Sequence, residues 1–255
     1  TRVRHKAVKD FLIRLYIRRV GVNLDEVMFK APEDFPDLNS FFTRALKPSA
    51  RPFADGEHDI ACPVDGTVSQ IGAIEADRLF QAKGHYYSLE ELLGGSAERA
   101  APFRDGAFAT LYLSPRDYHR VHSPLEGELV EMVHVPGRIF SVSPATTRAV
   151  PRLFARNERV IALFETPAGP MAVILVGAIF VASIETVWAG EVTPPTRREV
   201  RQWDYRGQGL EFDQGEEIGR FNMGSTVIVL FGRDRIQWET GLGGGTPVRL
   251  GQRLG

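Results

Sequence analysis

The sequence contains little that would support a disulfide-stabilised, membrane-spanning or nucleic-acid-binding protein. Its single cysteine, Cys62, cannot form an internal disulfide and fits a reducing compartment. Its longest apolar run, residues 171–184, has 14 residues, which is short of the roughly 20 that cross a bilayer. Its net charge is −1, which argues against general nucleic-acid binding. What is present is a chain of 255 residues, 43% hydrophobic, long enough to bury a sizeable core in one or two domains.

Most of the chain has the hydrophobic pattern of β-strands. Beyond a proline-containing linker at residues 47–52, short apolar runs alternate with glycine and proline. The run at 171–184 is interrupted near Gly177 and is interpreted as two buried strands. One helix is predicted at 89–93, with Ser88 as its N-cap. Strands are predicted at 67–71, 107–113, 128–135, 160–165, 171–184 in two segments, 185–188 and 226–231, with a last short strand after the glycine-rich turn at 241–245.

Residues 1–46 have a helical pattern instead. We predict a basic helix within residues 1–20, a short helix with Asn23 as N-cap and Glu26 at the capping-box position, and a third over 37–46. The fold class is therefore α+β and mainly β, with a helical region at 1–46 and a β-rich domain at 47–255.

The first helix is basic and amphipathic. Residues 1–20 contain seven lysines and arginines but only one acidic residue, Asp10. The apolar residues Val8, Phe11, Leu12 and Leu15 fall on one face of this helix. Such a helix can lie on an anionic membrane surface, where each basic residue contributes about 1 kcal/mol. The alternative is a helix that packs on the rest of the protein and exposes its basic residues to solvent.

A Gly-Ser-Thr sequence, Gly224-Ser225-Thr226, precedes the apolar run 227–231. A serine held between a flexible glycine and a rigid strand can attack the preceding carbonyl and convert the peptide bond into an ester. Eliminating that ester leaves dehydroalanine, which hydrolyses to a pyruvoyl group. Taken alone, however, Gly-Ser-Thr is more often a turn entering a strand.

The chain also contains candidates for a base and an orienting acid. His119 and His122 lie between Ser-Pro pairs at 114–115 and 123–124, which favour extended backbone and predict a rigid loop. Asp65 occupies a Pro-x-Asp-Gly turn. Each also has a structural interpretation, since turn aspartates often bond their own backbone, and a catalytic triad is defined by geometry, not by order in the sequence.

These segments together resemble phosphatidylserine decarboxylase, a pyruvoyl-dependent, self-processing family of bacterial and mitochondrial membranes. The likeness extends from about Asn39 onward. It departs from the family at Met223, where leucine is usual, and at Val64, where alanine is common; exchange of Met for Leu nearly conserves volume. The matching segments are Phe41-Phe42-Thr43-Arg44, Pro63-Val64-Asp65-Gly66, Gln81-Ala82-Lys83-Gly84-His85, residues 112–122, Val135-Pro136-Gly137, Phe140-Ser141-Val142, Asn157-Glu158-Arg159, Val176-Gly177-Ala178, Gly215-Glu216-Glu217 and Gly224-Ser225-Thr226.

The resemblance implies a role for each site residue. Ser225 is the processing nucleophile and becomes the pyruvoyl group, with cleavage between Gly224 and Ser225 into a β-chain of residues 1–224 and an α-chain of residues 225–255. His122 is the base for Ser225, oriented by Asp65, and His119 serves the decarboxylation. The pyruvoyl carbonyl forms a Schiff base with the substrate amine and accepts the electrons released with CO2, as pyridoxal phosphate does elsewhere. Neither pyridoxal phosphate nor a metal is implied.

The family also implies a barrel-like β catalytic body and conversion of phosphatidylserine to phosphatidylethanolamine. The expected partners are an anionic membrane surface, the two chains from one precursor and a second copy in a homodimer, with no nucleic acid. The expected location is the cytoplasmic face of a bacterial cytoplasmic membrane, in peripheral association. The residues considered for the substrate phosphate are Arg116, Arg120, Arg156, Arg159 and Lys83.

Two other functions remain open from the residues. A conventional serine hydrolase using Ser225, His122 and Asp65 would keep an intact chain, although no Gly-x-Ser-x-Gly elbow surrounds Ser225. A non-catalytic β-rich module that docks on membranes would tolerate loss of the Ser225 hydroxyl.

Overall fold

A computed structural model describes residues 2–54, 56, 58–179, 183–194, 199–222 and 225–255. The α-helices are α1 (Lys6–Val20), α2 (Leu38–Phe42), α3 (Leu89–Leu92), α4 (Ala97–Ala100), α5 (Pro144–Ala149) and α6 (Leu153–Arg156). Short 3-10 turns occur at Pro32–Asp34, Pro48–Ala50 and Ala101–Phe103. The strands are β1 (Gly66–Ala73), β2 (Arg78–Ala82), β3 (His85–Ser88), β4 (Ala107–Leu113), β5 (Arg120–His122), β6 (Gly127–Val135), β7 (Arg159–Thr166), β8 (Gly169–Gly177), β9 (Ile184–Thr186), β10 (Gly190–Glu191), β11 (Arg201–Asp204), β12 (Glu211–Phe212), β13 (Glu217–Phe221), β14 (Ser225–Phe231) and β15 (Pro247–Val248).

The described strands form one large and one small antiparallel sheet, plus the β2–β3 hairpin. The large sheet has nine strands, eight of them in the order β11-β6-β7-β8-β14-β4-β1-β15, with β12 also pairing with β6. The small sheet has the order β10-β9-β13-β5. The expectation of a mainly β protein is confirmed. The barrel-like body is wrong for the described residues, because β11 and β15 are edge strands that do not pair with each other, so the large sheet stays open.

The central strands of the large sheet are buried on both faces. All seven residues of β14 are buried, and alternate side chains point to opposite faces of the sheet. Val227 and Val229 pack in a core under the small sheet, whereas Ile228 and Leu230 pack in a second core under the hairpin and the short helices. This double burial explains why β14 and β8 are continuous apolar runs although the sheet is antiparallel.

The helical region differs from its prediction in two elements: the helix predicted over 37–46 ends at Phe42, and the helix predicted after Asn23 is absent. α1, α2 and the helix after Ser88 form, and Ser88 accepts a hydrogen bond from the Glu91 amide. No helix follows Asn23, because its side chain accepts from the Asp25 amide in a local turn. The chain then continues extended and Val27 bridges to Leu46.

Helix α1 has two apolar faces. Ile13 is fully buried in a small core with Val22, Phe35 and Phe41. The predicted face is directed outward instead, and Phe11 is 62% exposed, with Val8 and Leu15 exposed beside it. Within the described residues, no helix has the length and apolar character needed to cross a membrane.

Candidate active site

Ser225 lies in the middle of the large sheet, at the first residue of β14. It pairs with Leu113 of β4 on one side and with Gly177 of β8 on the other. Its side chain is 1% exposed, and its hydroxyl has no hydrogen-bond partner among the described residues. A buried hydroxyl without a partner costs free energy. The preceding cleavage-site residue, Gly224, lies outside the described residues.

A cavity of about 430 Å³ opens beside Ser225. Its walls are mainly apolar and include Tyr16 and Val20 of α1, so the N-terminal helix forms part of the site. The polar lining side chains besides Ser225 include Ser141 and Ser143. The remaining lining residues are Phe42, Tyr112, Leu113, Pro115, Val142, Ala178 and Ile179.

His119 has a ring nitrogen without a partner in the described part of the chain and packs against the cavity residue Phe42. Its ring is fully buried and lies 4.1 Å from the ring of Phe42, centroid to centroid. Its Nδ1 donates to the Asp117 carbonyl at 2.8 Å, which leaves Nε2 as an unprotonated acceptor with no partner among the described residues. Burial lowers the pKa of His119 to about 3, so the ring is neutral at neutral pH.

His122 is already engaged at both nitrogens. Its Nδ1 donates to the Gly215 carbonyl at 2.7 Å, and its Nε2 accepts from the Tyr118 hydroxyl at 3.0 Å. Burial raises the pKa of Tyr118, so that hydroxyl remains a donor. Burial also lowers the pKa of His122, so His122 too is favoured in its neutral form.

Asp65 is held by an ion pair and not by a histidine. Arg51 Nε lies 2.8 Å from its Oδ1, and the Leu250 amide donates to the same oxygen at 2.9 Å. Arg51 also binds Glu26 at 2.7 Å. Asp65 therefore joins the turn before β1 to residues near the end of the chain. The hydrogen bonds of the described residues join neither Asp65 to His122 nor His122 to Ser225, so the triad stays a prediction.

Sequence reasoning missed several side chains that hold this site. Tyr118 lies only four residues before His122, and Arg51 only 14 residues before Asp65, but neither spacing by itself marks a contact. Asn222, three residues before Ser225, is 1% exposed and accepts from Asn39 Nδ2 at 2.8 Å. The one sequence signal of this contact is an asparagine at the end of a buried strand. Such a side chain needs a hydrogen-bond partner, because amides are seldom buried without one.

The candidate phosphate ligands are distributed unevenly. Arg159 is 2% exposed and donates to backbone carbonyls, including those of Leu92 and Glu91, so it is not available to a substrate. Arg120 binds the Thr43 carbonyl and Glu217. The side chain of Arg116 is 70% exposed and follows the cavity residue Pro115. Arg156 is also exposed and stacks on the Phe140 ring.

Cys62 is a structural thiol. It is fully buried and donates to the Val64 carbonyl at 3.1 Å. Burial raises its pKa to about 12, which keeps it protonated and unreactive.

Comparison with known proteins gives a consistent result. The family model described as Phosphatidylserine decarboxylase matches residues 38–255. Three curated relatives carry the name phosphatidylserine decarboxylase proenzyme. The protein of Methylococcus capsulatus is 58% identical over 254 residues, covering 100% of this chain and 88% of the relative. That of Nitrosococcus oceani is 56% identical, covering 99% and 83%, and that of Pseudomonas aeruginosa is 57% identical, covering 96% and 86%.

Proposed function

Since this chain belongs to the phosphatidylserine decarboxylase family, we propose that it cleaves itself before Ser225 and converts phosphatidylserine to phosphatidylethanolamine. The observation that carries the proposal is the buried Ser225 hydroxyl, which has no partner among the described residues and lines the cavity. The name proenzyme borne by the relatives supports processing into two chains.

In the cleavage that we propose, the Ser225 Oγ attacks the Gly224 carbonyl carbon. A C–O bond forms, the C–N bond breaks, and the Ser225 nitrogen takes up the proton, which gives an ester. Removal of the Ser225 α-proton then breaks the Cβ–O bond and releases the Gly224 carboxylate. The resulting dehydroalanine takes up water and loses ammonia, which leaves a pyruvoyl group at the start of residues 225–255.

Two histidines are available for the proton transfers. We assign His122, with Asp65 as its orienting acid, to removal of the Ser225 proton, and His119 to the decarboxylation. Burial favours the neutral form of both rings, in which a ring nitrogen can accept a proton. For His122 to act, Tyr118 must release Nε2, to which its hydroxyl donates. The free Nε2 of His119 and its contact with the cavity residue Phe42 support a role close to the substrate.

The residues present fit a pyruvoyl group made from Ser225. This group would supply an electron-accepting carbonyl for the substrate's amine. Leu113 and Gly177 pair with Ser225 on either side and fix its backbone in the sheet. The walls of the cavity are mainly apolar, and exclusion of water by a bound substrate would strengthen electrostatic interactions inside it. In this proposal the unprotonated Nε2 of His119 first accepts a proton and returns it later.

We further propose that residues 1–46 associate with an anionic membrane surface and that residues 47–255 form the catalytic domain. The exposed apolar face of α1, together with exposed Arg18 and Arg19, supports binding to an anionic surface. We propose the cytoplasmic face of the membrane as the location of this peripheral association. After cleavage the two chains would remain together, because β14 lies between β4 and β8. A homodimer of this pair is part of the proposal.

The test is decarboxylation of phosphatidylserine vesicles by wild type and two serine variants. Ser225→Ala should remain one chain and produce no phosphatidylethanolamine. Ser114→Ala is a matched control, because its hydroxyl is also buried without a partner in the described part of the chain and it directly follows Leu113. It should cleave and retain activity. Full activity of Ser225→Ala would overturn the proposal.

The same assay separates the histidines. His122→Ala and Asp65→Asn should block cleavage. His119→Ala should lower phosphatidylethanolamine formation per cleaved chain by about 10²–10⁴-fold, the usual contribution of a positioned acid or base. Normal cleavage of His122→Ala together with no cleavage of His119→Ala would reverse the assignment.

A further inference from the structure

The segment 37–44, which contains the short helix α2, contacts three residues of the histidine-bearing segment 114–122. Asp37 caps this helix by accepting from the Ser40 amide at 2.9 Å. Phe42 packs its ring on His119. Just beyond the helix, the Thr43 carbonyl accepts from Arg120 Nε at 2.9 Å, and Arg44 donates to the Arg116 carbonyl at 3.0 Å. The helix is thus fastened to the histidine-bearing loop.

The remaining contact of α2 reaches the segment that leads to the cleavage site. Asn39 Nδ2 donates to Asn222 Oδ1 at 2.8 Å, across 183 positions of sequence. Asn222 directly follows β13 and is 1% exposed.

A second set of contacts holds Asn222 from the other side. The Asn222 amide donates to the Ser183 carbonyl at 2.9 Å, and its side-chain nitrogen donates to Ser183 Oγ. Ser183 Oγ in turn donates to Glu191 at 3.0 Å. Asn222 therefore lies in a chain of hydrogen bonds from α2 to the loop before β9, and Asn39 provides one end of it.

Intramolecular attack requires the reacting atoms at about 3–3.5 Å and aligned, so the backbone on both sides of the bond must be held. Downstream, β14 holds Ser225 between two strands. Upstream, Asn222 is two residues before Gly224, and its side chain is hydrogen-bonded to Asn39 and Ser183. We infer that Asn39 is a positioning residue for self-cleavage, acting through Asn222; this rests on the proposed function.

This role predicts a separation between the two reactions. Once the chain is cut, residues 222–224 are the end of the longer chain and no longer join the reacting serine. Loss of the Asn39 contact should therefore slow cleavage and leave decarboxylation per cleaved chain unchanged. A role in folding alone would lower both reactions together with thermal stability.

The test is pulse–chase translation of the full chain, with the cleaved fraction followed on denaturing gels. Asn39→Ala should slow cleavage by about 2- to 12-fold, the range expected for one net hydrogen bond. Ser40→Ala is the control in the same helix, because its hydroxyl bonds Asp37 and not Asn222; it should cleave at the wild-type rate. The double variant Asn39→Ala/Asn222→Ala should be no slower than the slower single variant.

Two further measurements separate positioning from folding. Phosphatidylethanolamine formation per hydroxylamine-reactive chain should stay within twofold of wild type in Asn39→Ala. Asn39→Ser, which is polar but too short to reach Asn222, should give the same result. In the uncleaved Ser225→Ala background, both Asn39 variants should melt within a few degrees of Ser225→Ala alone.

Wild-type cleavage of Asn39→Ala, additive slowing in the double variant, or an equal fall in both reactions would overturn the inference alone. An uncleaved wild-type chain would overturn the proposed function as well.

Discussion

Burial of His119 should make the folded state sensitive to mild acid. Its ring is fully buried, and its pKa falls from the ordinary value of 6.5 to about 3 because a protonated ring would lose its hydration there. Unfolding returns the ring to water. Between these two pKa values the unfolded chain therefore binds a proton that the folded chain does not, and the free energy of unfolding decreases as the pH falls.

The size of this effect follows from the linkage relation. At pH 7.5 the ring is neutral in both states and contributes almost nothing. At pH 5 the unfolded ring is protonated and the folded ring is not, so the difference amounts to about 2 kcal/mol. This figure holds as long as the folded pKa stays below 5. Burial also lowers the pKa of His122, which adds to the acid sensitivity of the whole protein. His122 is present both with and without the His119 substitution, so its effect cancels in the comparison.

The assay is urea unfolding of the uncleaved Ser225→Ala chain at pH 7.5 and pH 5, followed by tryptophan fluorescence. The change in unfolding free energy between the two pH values should be about 2 kcal/mol smaller once His119→Gln is added. His5→Gln, at an exposed histidine before α1, is the matched substitution outside the core. An equal pH dependence with and without His119 would refute the buried neutral histidine.

Three further predictions concern the polar contacts around the site. Arg51→Met leaves the nearly buried Asp65 carboxylate without its cation and should lower the unfolding free energy of the uncleaved chain by about 3–5 kcal/mol. Arg206→Met is the control at an exposed ion pair and should lower it by at most about 1 kcal/mol. Equal losses in the two variants would contradict this account. Tyr118→Phe frees His122 Nε2 and should speed self-cleavage by up to about tenfold in pulse–chase translation, while a tenfold slower rate would show that the tyrosine assists the reaction. Because burial lowers the pKa of His122, the cleavage rate should hold as the pH falls to 6.5 and decrease only below it, and a decrease centred above 6.5 would rule out this base.

The strands that build the active-site sheet were predictable because their pattern is local. Residues 107–113 were predicted as a strand, and β4 has these same bounds. β14 begins one residue before its predicted start, at Ser225 itself. A continuous apolar run indicates a strand that is buried on both faces, and this pattern does not depend on which elements pack against it.

Elements without such a run were missed or mistaken. The β2–β3 hairpin turns at Lys83 and Gly84, both with positive φ, but its strands are short and mixed in polarity. The helix predicted after Asn23 was wrong because the same residue type that caps helices also closes local turns. Barrel closure depends on which edge strands meet, and no segment of sequence encodes that locally.

The site was predictable in its parts but not in its connections. Ser225, His119, His122 and Asp65 came from motifs and resemblance. The partners of these residues did not, since Asp65 binds Arg51 and Leu250, and His122 binds Tyr118 and Gly215. Contacts across 90 or more positions, such as His122 with Gly215 or Asn39 with Asn222, arise from the fold as a whole.

Self-cleavage at Ser225 is tested most directly by the intact mass under denaturing conditions, before and after hydroxylamine. We expect two chains divided between Gly224 and Ser225, with only the shorter chain shifted by the reagent because it carries a carbonyl. A single unmodified chain from a preparation that forms phosphatidylethanolamine would contradict the pyruvoyl mechanism.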